Sequence, residues 1–243
     1  MADVLTKPRR KAKAIEAVVP QSDAADQATP SRTKKILLLA SAKGGSGKTS
    51  TSINLAVAAA HAGLRTATVD MDRQQTLSKW YRQRPEEAPH IEHFVIPLSE
   101  TKAGLAEIEA ADDIDLVIID TPPGVEDHPE QVRQLVKRAD FVLVPTGQGK
   151  ADIDSVLEWM GFLAREGAKA AFMLNATNRK AKSYEQAKIR LVKAGALCPI
   201  DVRLLEDLRN VHGTGVGIFE ISGASGTEDL EGVWAFVRQA LGV

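Results

Sequence analysis

A predominantly parallel, twisted α/β sheet with helices on both faces is the fold this sequence predicts, and three observations predict it. Short β-rich apolar runs alternate with longer helical patterns from Ile36 onward. Several of those runs are apolar at every position, as strands covered on both faces must be. A glycine-rich segment, Lys43-Gly44-Gly45-Ser46-Gly47-Lys48-Thr49, joins the first run directly to a helical pattern. In that context a helix N-terminus meets an anion.

The elements follow in order. An aliphatic run at 36–40 is the first strand, and the alanine-rich stretch 49–62 after the glycine loop is the first helix. The run 66–69 is the second strand, followed by a helical pattern over 75–84. A short run at 94–96 precedes a helix over 103–110. The aliphatic run 116–119 and the run 141–144 flank a helix over 129–138. A helix over 152–165, a strand over 171–174 and a helix over 182–194 follow. In the last helix, 227–241, Leu230, Val233, Trp234, Val237 and Leu241 recur at helical spacing. A membrane-surface helix wants Lys or Arg on its polar face, whereas this one carries Glu228, Asp229 and Glu231 with Arg238, so core packing is expected.

Bulk properties narrow the class. The 243 residues suit one sizeable domain, and 44% hydrophobic with 26% charged residues is an ordinary globular composition. Cys198 is the single cysteine, which excludes an internal disulfide framework and fits a reducing, cytoplasmic setting. No apolar run reaches the roughly 18–20 residues of a spanning helix, so no membrane role is expected. A net charge of −1 gives no global attraction to nucleic acid. Residues 1–33 lack periodicity and are read as a flexible tail ahead of a single domain over 34–243. Within the tail, Lys7, Arg9, Arg10, Lys11 and Lys13 form a basic patch, either a solvated segment or an electrostatic arm for DNA.

Chemistry concentrates in the glycine loop. Gly44, Gly45 and Gly47 let successive backbone N–H groups, through Ser46 and on to Ser50, turn toward one anion. Lys48 supplies charge to the β- and γ-phosphates, and Thr49 a hydroxyl to Mg²⁺. Two strand ends add carboxylates. Val69-Asp70-Met71-Asp72-Arg73-Gln74 closes the second strand, and Asp115-Leu116-Val117-Ile118-Ile119-Asp120-Thr121-Pro122-Pro123-Gly124 delivers Asp120 from a buried one. Ligands of parallel sheets collect beyond such ends, so Asp120 meets the metal that Thr49 coordinates.

A lysine at the start of the loop, Lys43, makes it resemble the deviant Walker A motif of the ParA/MinD family of P-loop ATPases. The resemblance implies that Lys43 reaches phosphates bound by a second copy, so that ATP becomes part of a homodimer interface. It implies that Asp72 lies beside the γ-phosphate and positions the attacking water, that Asp70 stands nearer the metal shell, and that residues 121–124 sense the γ-phosphate. Asn175, which ends a strand, matches a position used against adenine; a turn cap is its other reading. By the same analogy, Pro199-Ile200-Asp201 forms another wall of the base pocket. Arg73 departs from the family pattern, which carries proline there.

The short chain and Val142-Leu143-Val144-Pro145-Thr146 resemble the small ParA-type partition ATPases. That branch implies slow, partner-stimulated hydrolysis of ATP with Mg²⁺, non-specific DNA binding by the ATP dimer, nucleoid association in that state, and a centromere-binding ParB-type or cargo-adaptor partner. Candidate DNA cations are Arg179, Lys180, Lys182, Lys188, Arg190 and Lys193, on a helical stretch with its preceding loop, the helix's buried side being assigned to Ile189, Leu191 and Val192. A MinD-like positioning switch without DNA binding and a small-molecule biosynthetic P-loop enzyme are the alternatives. A nitrogenase-type iron protein is excluded by the lone cysteine.

Overall fold

The structure, a computed structural model, describes residues 33–243. The expected tail, with its basic patch, lies outside the described residues except for Thr33.

Six strands form one sheet in the order β3-β2-β4-β1-β5-β6, with every pairing parallel. They are β1 (Lys35–Leu39), β2 (Thr66–Asp70), β3 (Ile91–Val95), β4 (Leu116–Asp120), β5 (Phe141–Thr146) and β6 (Ala170–Leu174). The helices are α1 (Lys48–His61), α2 (Thr76–Tyr81), α3 (Thr101–Ala110), α4 (Pro129–Arg138), α5 (Lys150–Arg165), α6 (Lys182–Ala194), α7 (Glu206–Asn210) and α8 (Thr227–Leu241).

Successive strand residues point to opposite faces, and the core divides accordingly. Ile36, Leu38, Val117, Ile119, Val142 and Val144 pack with residues of α3, α4, α5 and α6. Leu37, Leu39, Leu116, Ile118, Phe141 and Leu143 pack with α1, α2 and α8. This two-sided burial is why the strands read as unbroken apolar runs. In α8, Leu230, Val233, Val237 and Leu241 are all spent on the second cluster, as the periodicity predicts.

Strand order reverses around β1, because β1–α1–β2 steps one way across the sheet and β4–α4–β5 the other. A crevice opens beyond the strand ends at such a reversal. Register aligns Asp120 with Leu39 on one side and with Asp70 on the other, bringing three motif ends to the same edge.

Several details differ from expectation. The third strand runs from Ile91 to Val95 rather than over 94–96, and α2 closes at Tyr81 rather than Arg84. Gln75 precedes α2 with φ of 51°, and 3₁₀-type bonds from Gln83 and Arg84 end it. Helix α7 and the 3₁₀ turns Val211–Gly213 and Ile218–Glu220 have no periodic signature; Gly213, Gly215 and Gly217 interrupt every apolar pattern there.

Candidate nucleotide-binding site

The loop between β1 and α1 is a cradle built on glycine. Gly45 and Gly47 have φ of +74° and +93°. A Cβ on Gly47 would lie 1.9 Å from Asn175 Nδ2, so close approach as well as backbone conformation requires glycine there. Asn175 follows β6, and its Nδ2 donates to Ser46 O at 2.9 Å, tying the cradle to the neighbouring strand end. The next residue, Ala176, is left-handed at φ of 52°.

No side chain caps α1, and no acidic residue lies in its first turn. Thr51 N–H is the first to close on a helical acceptor, Gly47 O at 3.0 Å. The preceding N–H groups and the positive end of the helix dipole therefore face the cradle. Lys48 is buried, with Nζ 3.3 Å from Lys43 O and 3.4 Å from Ser41 O. Burial lowers its pKa, against the pull of Asp120, Asp72 and Glu126.

Thr49 Oγ1 donates to Asp120 Oδ2 at 2.7 Å, and Ser52 Oγ to Oδ1 at 3.2 Å. Burial pushes the Asp120 carboxyl up to about 7; the Asp70 charge adds to the rise, while the Thr49 and Ser52 hydroxyls and Lys48 oppose it. Asp70 is committed to its own strand end: Oδ1 accepts from Asp72 N at 3.0 Å, and Oδ2 from Ser78 N at 2.8 Å and Ser78 Oγ at 2.7 Å. Asp72 accepts from Gln74 N at 2.9 Å and lines the cavity over the loop.

That cavity, about 420 Å³, is lined by residues 44–50, Asp72, Gln74, Thr76, Thr121, Pro123 and His212. A smaller one of about 60 Å³ shares Ser50 with it and is walled by Asn175, Ala176, residues 202–205, Leu208 and Arg209. Of the expected base-pocket wall, Asp201 is turned away into a network with Thr177 Oγ1 at 2.6 Å, Tyr184 OH at 2.8 Å and Arg179 Nε at 3.0 Å. Residues 202–205, not 199–201, line the smaller cavity.

Lys43 and Lys48 are placed oppositely. Lys48 is sealed inside the loop, whereas the Lys43 side chain is 46% exposed and paired with Asp152 of α5, Nζ to Oδ1 at 2.5 Å. Arg73 is exposed.

The donor set fits a phosphate chain. Besides the uncapped α1 N-terminus, the hydroxyls of Ser41 and Ser46 are buried without a partner. Among the described residues no cluster of His, Cys, Asp or Glu could by itself hold a metal. The adjacent Thr49 hydroxyl and Asp120 carboxylate are hard oxygen donors that would suit an ion such as Mg²⁺.

Sequence reasoning missed His212. Its Nε2 lies 2.7 Å from Ser50 Oγ, and its sequence context carries no motif that points to the loop. Helix α6 also differs: Leu191 is buried, but Ile189 and Val192 are 54% and 63% exposed. The buried stripe of α6 is Tyr184, Ala187 and Leu191. Of the cations on α6 and the turn before it, Arg179 pairs with Asp201, Arg190 pairs with Asp154 at 2.6 Å, and Lys188 lies over the Tyr184 ring. Lys180, Lys182 and Lys193 are exposed. No helix among the described residues is long and apolar enough to cross a membrane.

Known proteins resemble this chain in sequence and in fold. The chain is 29% identical over 162 residues to an iron-sulfur cluster carrier protein of Deinococcus radiodurans, a match covering 54% of this chain and 46% of that one. The chain therefore spans about half the length of that relative. It is 27% identical over 197 residues to the maintenance of carboxysome distribution protein A of Halothiobacillus neapolitanus, covering 78% and 88%. A plasmid partition protein from Borrelia burgdorferi, solved with AMPPNP, shares the fold with a TM-score of 0.69 at 17% identity, over 85% of this chain and all of that one. The model of the CobQ/CobB/MinD/ParA nucleotide-binding domain matches residues 37–230. With most of the chain inside that match, this protein belongs to the CobQ/CobB/MinD/ParA nucleotide-binding domain family.

Proposed function

We propose that this protein is an ATP-driven positioning switch of the ParA type. It binds ATP with Mg²⁺, dimerises through the nucleotide, engages DNA without sequence preference in that state, and resets by slow hydrolysis. The observation that carries the reading is the opposite placement of two lysines in one loop. Lys48 is buried where it serves the chain's own phosphates, and Lys43 is half-exposed beside the loop, held by Asp152 of the same chain but accessible to a second molecule.

Lys48 and the backbone of residues 44–50 bind the phosphates. Thr49 and Asp120 would hold Mg²⁺, which supplies neutralisation of phosphate charge. Asp72 borders the same cavity and orients water toward the terminal phosphate, while Asp70 positions Asp72 through its backbone N–H. Residues 121–124 follow Asp120 directly, so loss of the terminal phosphate changes the surface that Lys43 must approach. Asn175 braces the loop and borders the smaller pocket, which takes the base. A centromere-binding or cargo-adaptor protein acts as the stimulating partner.

The family resemblance to an iron-sulfur carrier does not extend to a cluster site in this chain. Its one cysteine, Cys198, is buried, and burial raises its thiol pKa to about 11. A DNA-free positioning switch is the second reading, favoured by the internal pairing of Arg179 and Arg190.

Light scattering with DNA co-sedimentation tests both, comparing no nucleotide, ADP and a slowly hydrolysed ATP analogue at low and moderate salt. ATP-specific dimers with salt-sensitive, sequence-indifferent DNA binding support the partition reading. Dimers without DNA binding support the second reading, and absence of ATP-dependent dimers sinks both.

A further inference from the structure

His212 lies in the 3₁₀ turn Val211–Gly213, far in sequence from the phosphate loop, yet its ring lines the cavity over that loop. Its location is fixed from both sides. Asn54 of α1 accepts from Ile218 N at 2.7 Å and donates to Ser50 O at 2.8 Å. On the α2 side, Trp80 Nε1 donates to Val216 O at 3.1 Å. Gly215, with φ of +71°, sits so close to Gln83 O that a Cβ would lie 2.1 Å from it. The segment carrying His212 is thereby strapped across α1 and α2 at the start of the phosphate-binding helix.

The ring makes one contact and lacks another. Nε2 is 2.7 Å from Ser50 Oγ, while Nδ1 is buried with no partner. Burial also lowers its proton affinity, so the ring is neutral near pH 7 and carries one N–H. A buried orphan acceptor is better tolerated than a buried orphan donor. The proton therefore sits on Nε2 and is donated to Ser50 Oγ, which leaves the Ser50 hydroxyl hydrogen free to point elsewhere.

Ser50 is the residue shared by the two cavities, the large one over the loop and the small one walled by Asn175, Leu208 and Arg209. A nucleotide occupying both has its base-proximal phosphate at that junction. We propose that His212 is a nucleotide-positioning residue, which by donating to Ser50 Oγ turns the Ser50 hydroxyl toward the base-proximal phosphate of ATP and ADP alike. The inference rests on the nucleotide-binding reading above and assigns it a residue outside the three motifs. It also makes residues 208–212 a single short clamp, with Leu208 and Arg209 at the base and His212 at the phosphates.

The test is equilibrium binding of fluorescent ADP and of a fluorescent, slowly hydrolysed ATP analogue to the full chain and to His212→Ala, His212→Gln, His212→Asn, Ser50→Ala and the Ser50→Ala/His212→Ala double variant. Melting temperatures are read alongside. His212→Ala is expected to weaken both nucleotides by the same factor, about three- to tenfold for one lost hydrogen bond. Gln, whose terminal N–H₂ falls near Nε2, restores affinity, and Asn, which reaches only as far as Nδ1, does not. The double variant is no weaker than Ser50→Ala alone, as expected of two residues acting as a unit. Unchanged affinity in His212→Ala, a loss confined to the triphosphate, or equal rescue by Asn would overturn the assignment while leaving the nucleotide-binding reading intact. Failure of the unmodified protein to bind either nucleotide would overturn both.

Discussion

Lys43, at the start of the phosphate loop, and Asp152 in the first turn of α5 form an ion pair of 2.5 Å. The turn before α5 is shaped for it: a Cβ on Gly147 or Gly149 would lie 2.7 or 2.8 Å from Asp152 Oδ2. The pair is partly exposed, with side chains 46% and 33% accessible, so it contributes little to folding. Its consequence lies in competition. On the dimer proposed above, Lys43 cannot both hold Asp152 and reach a second molecule's phosphates, so the pair would favour the monomer.

Asp152→Asn is accordingly expected to shift ATP-dependent dimerisation to about two- to fivefold lower protein concentration, the range of one exposed ion pair. Lys43→Ala should retain nucleotide affinity and lose the dimer. Light scattering and nucleotide titration on the same samples separate the two effects. A dimerisation midpoint that Asp152→Asn leaves in place would remove the competition argument.

Asp120 carries a pH dependence of definite sign. Its folded pKa, raised by burial to about 7, lies above the ordinary 3.8. Between those values the native state holds a proton that the unfolded chain has released, so metal-free stability falls as pH rises from about 4 to 7. Asp120→Asn abolishes that loss while preserving an acceptor for Thr49. The metal-free variant should melt above the unmodified protein at about pH 8, by about 2–4 °C per kcal/mol recovered, and the gap should close near about pH 4. A gap that widens toward acid would contradict the burial argument.

Much of this was legible in the sequence, and the exceptions have physical reasons. The strands on both sides of β1 read clearly because two-sided burial leaves them apolar throughout, and α4, α6 and α8 were bounded correctly by composition and periodicity. Lys48, Thr49 and Asp120 converge because a parallel sheet delivers all strand ends to one edge. What the sequence concealed depends on distant chain segments. His212 meets Ser50 across 162 positions, Asp152 meets Lys43 across 109, and Asp201 is drawn off by Arg179, Thr177 and Tyr184. Ile189 and Val192 were expected inside by their apolar character alone, but Tyr184, Ala187 and Leu191 already form the buried stripe of α6.

The contact between Gly47 and Asn175 gives a third prediction. Gly47→Ala places a methyl group on Asn175 Nδ2 and forces a left-handed alanine, so the loop must open. Nucleotide binding should be lost even in protein that remains folded by circular dichroism. Asn175→Ala removes only the bond to Ser46 O, and is expected to lower stability by about 1 kcal/mol with a moderate loss of affinity. Equal effects of the two substitutions would mean that loop conformation contributes nothing beyond that hydrogen bond.

The cations around α6 supply the last prediction, because the structure sorts them into two groups. Arg179 holds Asp201 within a network that also includes Thr177 and Tyr184, and Arg190 holds Asp154. Neither is available to phosphates without breaking an internal pair. Lys180, Lys182 and Lys193 are exposed and carry the DNA contact if α6 makes it. Replacing each of these lysines by alanine should reduce the slope of log affinity against log salt by about 0.9 per residue in double-stranded DNA. Arg179→Ala should instead lower the melting temperature, since it leaves the Asp201 carboxylate short of its cation, and should leave the salt slope unchanged. A steeper change for Arg179→Ala than for the three lysines would place the DNA contact at Arg179, at the cost of its pair with Asp201, rather than on the exposed lysines. An unchanged slope in all four would remove α6 from DNA binding and favour the DNA-free switch.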